Sequence, residues 1–460
     1  MLIQFRVENH RSLRDEQVLS LVASSDKSGA PVLCAEGLAE GVVPVAAIYG
    51  ANASGKSNVL AALDFMRSAV LNSQSRWEVD GAPQEPFLLS SKAREPSLYE
   101  IDIIVAGVRY RYGFQLSSAR IEEEWLFAWP HGRKAMWFER DGDNFEFGKT
   151  LHGENETIRN LTRPNSLFLS AAAQNNHAAL LPVFRHIGAW QFLLERRAGL
   201  HSRPWLSHAI AQRLSVKEEN MDRDAIMHLL RDADTGILDV RVEVEDTSTN
   251  SFEDLLKTTL RATLRAARAA MNGQPMPSVV SFRHRTTDDE YAWLPLAAES
   301  DGTVALLELA PHIVDTLRTG SLLCVDELEA SLHPALALSV VRMFNDPKHN
   351  PNRAQLVFAT HDTHLLGSLA GESVLHRDQV WFTEKDDSGG THLYPLTDFH
   401  PRKEENLERG YLQGRYGAIP FLGELLGPVA GGKPSGDASS GDAPGGDGPG
   451  GKDRGDDQGA

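Results

Sequence analysis

The stretch Gly50-Ala51-Asn52-Ala53-Ser54-Gly55-Lys56-Ser57 decides the fold: it spells G-x-x-x-x-G-K-S between an apolar run, Val42 to Tyr49, and a helical pattern, Asn58 to Val70. A loop of this kind needs these residue types. Gly50 and Gly55 let backbone N–H groups approach phosphate oxygens, and the N-terminus of the following helix favours negative charge. Lys56 has the reach for the β- and γ-phosphates of a nucleotide, and the Ser57 hydroxyl is placed to ligate Mg²⁺. Asn52, Ser54 and Asn58 are further candidate phosphate contacts; Asn52 and Ser54 read equally as turn formers. Strand, loop and helix in that order predict an α/β fold.

Three later stretches carry the matching chemistry. Ser321-Leu322-Leu323-Cys324-Val325-Asp326-Glu327 is an apolar strand ending in two carboxylates. Asp326 is the candidate Mg²⁺ ligand and Glu327 the candidate base for an attacking water, a division of labour used in nucleotide hydrolysis. Standing alone, such a pair reads as a cap for the next helix. Gln355-Leu356-Val357-Phe358-Ala359-Thr360-His361 is a second strand with a polar tip, and α/β sheets bind ligands at that edge. His361 can hydrogen-bond a γ-phosphate or the attacking water; isolated, it is an ordinary turn histidine. Glu299-Ser300-Asp301-Gly302-Thr303 precedes the apolar helix pattern Val304, Leu307, Ile313, Val314, Leu317. Ser300 and Gly302 therefore mark either a second anion-binding helix end or a simple N-cap.

The rest of the chain sets the frame. Its 460 residues are roughly three domains' worth at about 150 each. Strand-like runs cluster at both ends, at Leu2 to Val7, Val42 to Tyr49, Tyr99 to Val105, Val108 to Leu116, Ser321 to Val325, Gln355 to Thr360 and Gln379 to Phe382, and are expected to share one sheet. Between about 155 and 275 the periodicity is helical. One helix is expected from the Ser251 N-cap to Gly273, with Lys257, Arg261, Arg265 and Arg268 on one face; that face suits nucleic acid or simply solvent. The expected division is 1–150 for the first part of a nucleotide-binding head, 151–277 for a mainly helical insertion, 278–430 for the second part of the head, and 431–460 for a disordered acidic, Gly-rich tail with almost nothing to bury.

The net charge of −17 argues against a surface coated for non-specific nucleic-acid binding. Two cysteines far apart, Cys34 and Cys324, and an opening with Arg6 and Glu8 where a secretory signal needs an apolar run point to a cytoplasmic setting. No uncharged apolar stretch reaches the ~20 residues of a membrane helix.

The order of phosphate loop, long insertion, Ser300-Asp301-Gly302-Thr303, Leu322 to Glu327, Ser331-Leu332-His333-Pro334 and Thr360-His361 resembles the ABC-type ATPase heads of the RecF, SMC and OLD group. More narrowly it is similar to AAA-family ATP-binding proteins of the RloA type, found near phage-defence and restriction loci. Phe5-Arg6-Val7-Glu8-Asn9-His10-Arg11-Ser12 resembles the group's first strand and its Asn-Phe-Arg/Lys-Ser turn, and Arg402 to Glu405 through Gly417-Ala418-Ile419-Pro420 the narrower family's C-terminal block. The resemblance implies an ABC-ATPase-like P-loop head with a mixed sheet. It implies Lys56, Ser57, Asp326, Glu327 and His361 in the roles above, with Arg11 as a further nucleotide contact. Ser300 and Gly302 become the signature element, which in that group caps ATP held by another subunit, so a homodimer closed around ATP is implied.

Asp301 departs from the glycine common in transporter-type signatures, and Gln84 is the nearest candidate for the glutamine of the usual Q-loop or a solvated loop residue. OLD-type relatives carry a C-terminal Toprim nuclease; residues 362–430 hold no Asp-x-Asp and are too few for that domain, so a nuclease or other effector is expected on a separate chain. Two functions follow. One is ATP hydrolysis that drives dimer closure and regulates an effector, in phage defence or DNA metabolism. The other is an ATP-dependent binding module for nucleic acid or a partner, with negligible turnover. Glu327 beside Asp326 favours the first, since a module that only holds ATP has no need of a base there.

Overall fold

The computed structural model describes residues 1–24, 30–34, 40–194, 221–244, 278–288, 290–330, 332–369, 372–402 and 405–419. The expected helix from Ser251 to Gly273, with its basic face, lies outside the described residues, as do Ser331 and the tail from 431 onward. One compact unit runs from Met1 to Pro420.

The glycine-rich stretch sits on a six-stranded sheet of order Thr391–Pro395, Val380–Lys385, Val45–Gly50, Gln355–Ala359, Leu322–Val325, Gln191–Leu193. All neighbours run parallel except the outer pair Val380–Lys385 and Thr391–Pro395, so the sheet is mixed. Its central strands are buried along their length because both faces are covered: every residue of Val45–Gly50, Gln355–Ala359 and Leu322–Val325 is buried. Alternation along that strand feeds two cores. Ala46 and Ile48 pack with the helix Lys56–Asn72, while Val45, Ala47 and Tyr49 pack with the helices Asp301–Thr319 and Pro334–Asn345.

The expectation of one shared sheet is corrected. Leu2–Glu8, Ser97–Val105 and Val108–Leu116 belong to a separate seven-stranded antiparallel sheet with Gln17–Ser20, Ile121–Trp129, Ala135–Asp141 and Asn144–Phe147. The reason lies in the pattern: Leu2–Glu8 and Ile121–Trp129 largely alternate buried and half-open residues, as a sheet with one wet face requires. Ala106 and Gly107, with φ of 49° and 81°, make the two-residue turn between Val105 and Val108, the left-handed pair that a tight hairpin demands. The sheets are joined by Gln355, whose buried amide accepts from the Leu2 N–H at 2.6 Å and donates to its carbonyl at 2.8 Å.

Between residues 151 and 277 the described helices are Asn155–Leu161, Phe168–Gln174, Leu181–Gly188 and Met221–Asp232. The same stretch contributes Gln191–Leu193 to the mixed sheet and Asp239–Val244 to a small antiparallel sheet with Ser278–Arg285 and Tyr291–Pro295. No helix among the described residues is long and apolar enough to cross a membrane.

Candidate functional site

The loop after Val45–Gly50 turns through backbone that side chains resist: φ is 155° at Gly50, 63° at Ala53 and 111° at Gly55. A Cβ on Gly50 would lie 2.5 Å from the carbonyl oxygen of Thr383 and 2.6 Å from the Ser54 hydroxyl, and one on Gly55 would run into the Thr391 side chain. Both glycines are therefore required by close packing as well as by φ.

Behind the loop stands a lattice of hydroxyls. Ser54 Oγ and Thr383 Oγ1 share a hydrogen bond of 2.6 Å, Thr391 Oγ1 donates to the Ser54 carbonyl at 2.8 Å, and Ser12 Oγ meets Thr391 Oγ1 at 2.7 Å. Asn58 donates from Nδ2 to Ser12 Oγ at 2.6 Å. The Ser54 hydroxyl and the Asn58 amide thus hold the loop's shape, whereas Asn52 is exposed at its rim. Arg11, at φ 48°, is engaged by Glu85 through Nε at 2.5 Å, and Gln84 donates to the Glu95 carbonyl at 2.8 Å and to Ser97.

Lys56 opens the helix and is 5% exposed. Its ammonium donates to the carbonyls of Gly50 at 2.9 Å and Ala51 at 3.1 Å. Burial lowers its pKa to about 8, against the opposing pull of Asp326, Glu329 and Glu327. Those three acids reach it because Leu322–Val325 lies two strands away in the same sheet and ends at the same edge.

Asp326 follows that strand, its N–H bonded to the Leu193 carbonyl at 2.9 Å. Burial raises the pKa of its carboxyl; donation from Ser57 and the charge of Lys56 oppose this, and Glu327 adds to it. Asp326 Oδ1 is buried with no hydrogen-bond partner. A buried, orphaned carboxylate oxygen beside a serine hydroxyl is the kind of hard oxygen pair that suits Mg²⁺, which takes one or two protein ligands and fills its octahedron with water and phosphate. Glu327 sits at φ 52°, an uncommon conformation for a residue with a side chain.

His361 follows the strand Gln355–Ala359 and is open to solvent. Partial burial of its ring and then the charge of Lys56 lower its pKa, while Glu329, Glu327 and Asp326 push the other way. Five residues from three distant stretches, Lys56, Ser57, Asp326, Glu327 and His361, are thereby brought to one edge of the sheet. Ser300 stands apart from them. Exposed at the start of Asp301–Thr319, its Oγ accepts from the Thr303 N–H at 3.1 Å. Among the described residues no hydrogen bond or ion pair joins it to the Lys56 loop.

Two parts of the site escaped sequence reasoning. Glu329 was visible as the third acid of Asp326-Glu327-Leu328-Glu329. Thr383 and Thr391 carried no signal, because nothing local distinguishes a threonine that backs a loop from one that fills a strand.

A family described as "AAA domain, putative AbiEii toxin, Type IV TA system" matches residues 45–367. Among solved structures the chain is similar to an Smc head bound to the C-winged helix domain of ScpA, at 12% identity over 86% of this chain and 99% of that one, with a TM-score of 0.42. It is also similar to an Smc head with an extended coiled coil bound to the C-terminal domain of ScpA, derived from Pyrococcus furiosus, at 12% identity over 86% and 97%, with a TM-score of 0.36. No curated protein matches. The family match spans well over half of the sequence and contains the glycine loop, the acidic strand and His361, and on it the chain belongs to this family of AAA domains.

Proposed function

We propose that the chain binds ATP with Mg²⁺ and hydrolyses it. The observation that carries this reading is the buried Asp326 Oδ1, unpartnered and beside Ser57, at the edge where the Lys56 ammonium donates to the Gly50 and Ala51 carbonyls. Lys56 exchanges the Gly50 and Ala51 carbonyls for the β- and γ-phosphate oxygens, a charge-assisted contact stronger than the two it leaves. Ser57 and Asp326 hold Mg²⁺, which when bound neutralises charge on the phosphates. Glu327 takes the proton of the attacking water as the bond to the γ-phosphorus forms and the bond to the leaving ADP oxygen breaks. His361 hydrogen-bonds the γ-phosphate.

Ser300 and Gly302 serve a second subunit's nucleotide in this reading. Ser300 and Asp301 at that helix end are exposed, and each ATP then collects a loop from one chain and a helix N-terminus from its partner. ATP closes the homodimer, hydrolysis opens it, and the cycle regulates a separate effector chain, in phage defence or DNA metabolism.

Light-scattering mass of the Glu327→Gln protein with and without ATP tests the proposal. Retained ATP and a doubling of mass are expected, with hydrolysis lowered by about 100-fold or more. Unchanged turnover removes Glu327 from its role, and a mass indifferent to ATP removes the dimer.

A further inference from the structure

Glu329 leaves the acidic strand and reaches across to the neighbouring one. Its Oε2 accepts from the Thr360 hydroxyl at 2.7 Å and its Oε1 from the His361 backbone N–H at 2.7 Å. Both oxygens are used, so the contact sets the rotation of the Thr360–His361 segment as well as its position. Thr360 is fully buried; its N–H donates to the Ile48 carbonyl at 3.1 Å, and its hydroxyl oxygen accepts from the Asp362 N–H at 3.0 Å. The Leu328 N–H donates to the Ala359 carbonyl at 3.2 Å. One carboxylate thus joins the segment bearing Asp326 and Glu327 to the segment bearing His361, and through Thr360 to the strand bearing the glycine loop.

Folding alone does not ask for this. His361 is open to solvent, so water could satisfy its N–H, and an acid placed close enough to act on Lys56 and His361 electrostatically adds negative charge beside a candidate polyanion site. An orienting role accounts for both the charge and the two directed bonds.

We propose that Glu329 is a positioning residue: it locks His361 in register with Asp326 and Glu327, so that the γ-phosphate contact, the metal ligand and the base act as one rigid body. This rests on the ATPase reading above. It adds a residue that touches neither nucleotide nor metal and works through His361 and Thr360.

The test compares wild type with Glu329→Ala, Glu329→Gln, Thr360→Val and the Glu329→Ala/Thr360→Val double variant. ATP hydrolysis, ATP affinity and the exchange rate of the His361 amide are measured. Glu329→Ala is expected to lower kcat about 100-fold with ATP affinity changed by no more than about threefold, the signature of lost orientation rather than lost binding. Glu329→Gln, which keeps one acceptor oxygen, is expected to recover about tenfold of that loss. The double variant is expected to be no worse than about twofold below Glu329→Ala, because both substitutions cut one tether. The His361 amide exchanges faster in Glu329→Ala.

A folded Glu329→Ala protein with kcat within about twofold of wild type, or a double variant whose losses multiply, overturns the proposal. If Glu329→Ala does not fold, Thr360→Val carries the test: unchanged kcat and unchanged His361 exchange overturn it. If wild type fails to hydrolyse ATP, the function reading falls, and unchanged His361 exchange in Glu329→Ala is then what overturns the tether.

Discussion

Asp326 and Asp102 are both carboxylates drawn out of water, one in each of the two large sheets, and they end in opposite states. Asp102, on the antiparallel sheet and 4% exposed, receives Arg111 through Nε at 2.8 Å and Nη2 at 2.9 Å and Arg109 at 2.6 Å. Burial alone would raise its pKa, but the two guanidinium groups outweigh it and the net shift is downward. Asp326, half-buried at the edge of the mixed sheet, has no guanidinium partner; burial is the largest influence on its carboxyl, its pKa is raised, and Oδ1 is left without a hydrogen-bond partner. The backbone accounts for the contrast. Cross-strand neighbours in an antiparallel sheet supply partners side by side, as Asp102 opposite Arg111 does. Parallel strands end together, so their tips gather groups around a space rather than against one another.

Substituting each aspartate breaks this comparison most directly, and the two outcomes are expected to be opposite. Asp326→Asn lowers ATP hydrolysis on the order of 10³-fold, the scale of losing a metal-holding electrostatic contact. Its thermal midpoint in the absence of nucleotide stays level or rises, since an under-partnered buried charge has been removed. Asp102→Asn leaves turnover near wild type and lowers stability by about 2 kcal/mol, because two half-buried guanidinium groups lose their counter-charge. Steady-state hydrolysis and denaturant unfolding of both variants decide it; a destabilised Asp326→Asn with normal turnover reverses the assignment.

How far these sites were legible in the sequence follows from the same contrast. The glycine loop, the acid pair and the late histidine could be read because each is a short run whose spacing is set by local backbone, with an apolar strand before it. The separation of the two sheets could not be read from strand counts, although the alternation in Leu2–Glu8 against the continuous burial of Val45–Gly50 distinguishes them once attended to. Ser54, Asn58 and Arg11 show a different limit. Their residue types suit a nucleotide, and each also hydrogen-bonds a partner, Thr383, Ser12 or Glu85, that lies up to 329 positions away in sequence and that local spacing does not reveal. The bridge from Glu329 to Thr360 and His361 is of the same kind, a contact across strands that local spacing cannot encode. The basic face at Lys257 to Arg268 lies outside the described residues.

Titration sharpens the Asp102 half of the comparison. Its folded pKa lies below the ordinary 3.8, so the stability it contributes is present above that ordinary value and is lost as pH falls through the lowered one. The stability gap between wild type and Asp102→Asn should therefore be constant from about pH 7 to 5 and shrink below about pH 4. Unfolding free energies measured across that range check it, and a gap that widens on acidification contradicts the two-arginine account.

The smallest expected effect lies on the outer strands of the antiparallel sheet, where cross-strand pairing turns unfavourable. Glu139 stands opposite Glu146, and Glu123 opposite Asp141. All four residues are exposed, and like charges placed directly opposite destabilise a sheet. Water screens them, which is why the sheet tolerates on its surface what Asp102 required two arginines to offset inside. Glu146→Lys converts one repulsion into an attraction and is expected to stabilise the protein by about 0.5 kcal/mol, with ATP turnover unchanged. The gain should fade in about 1 M salt, where the screening length is about 3 Å. A denaturation midpoint that shifts equally at low and high salt would trace the effect to strand propensity instead of charge, and the electrostatic contrast between the two sheets would then rest on Asp102 and Asp326 alone.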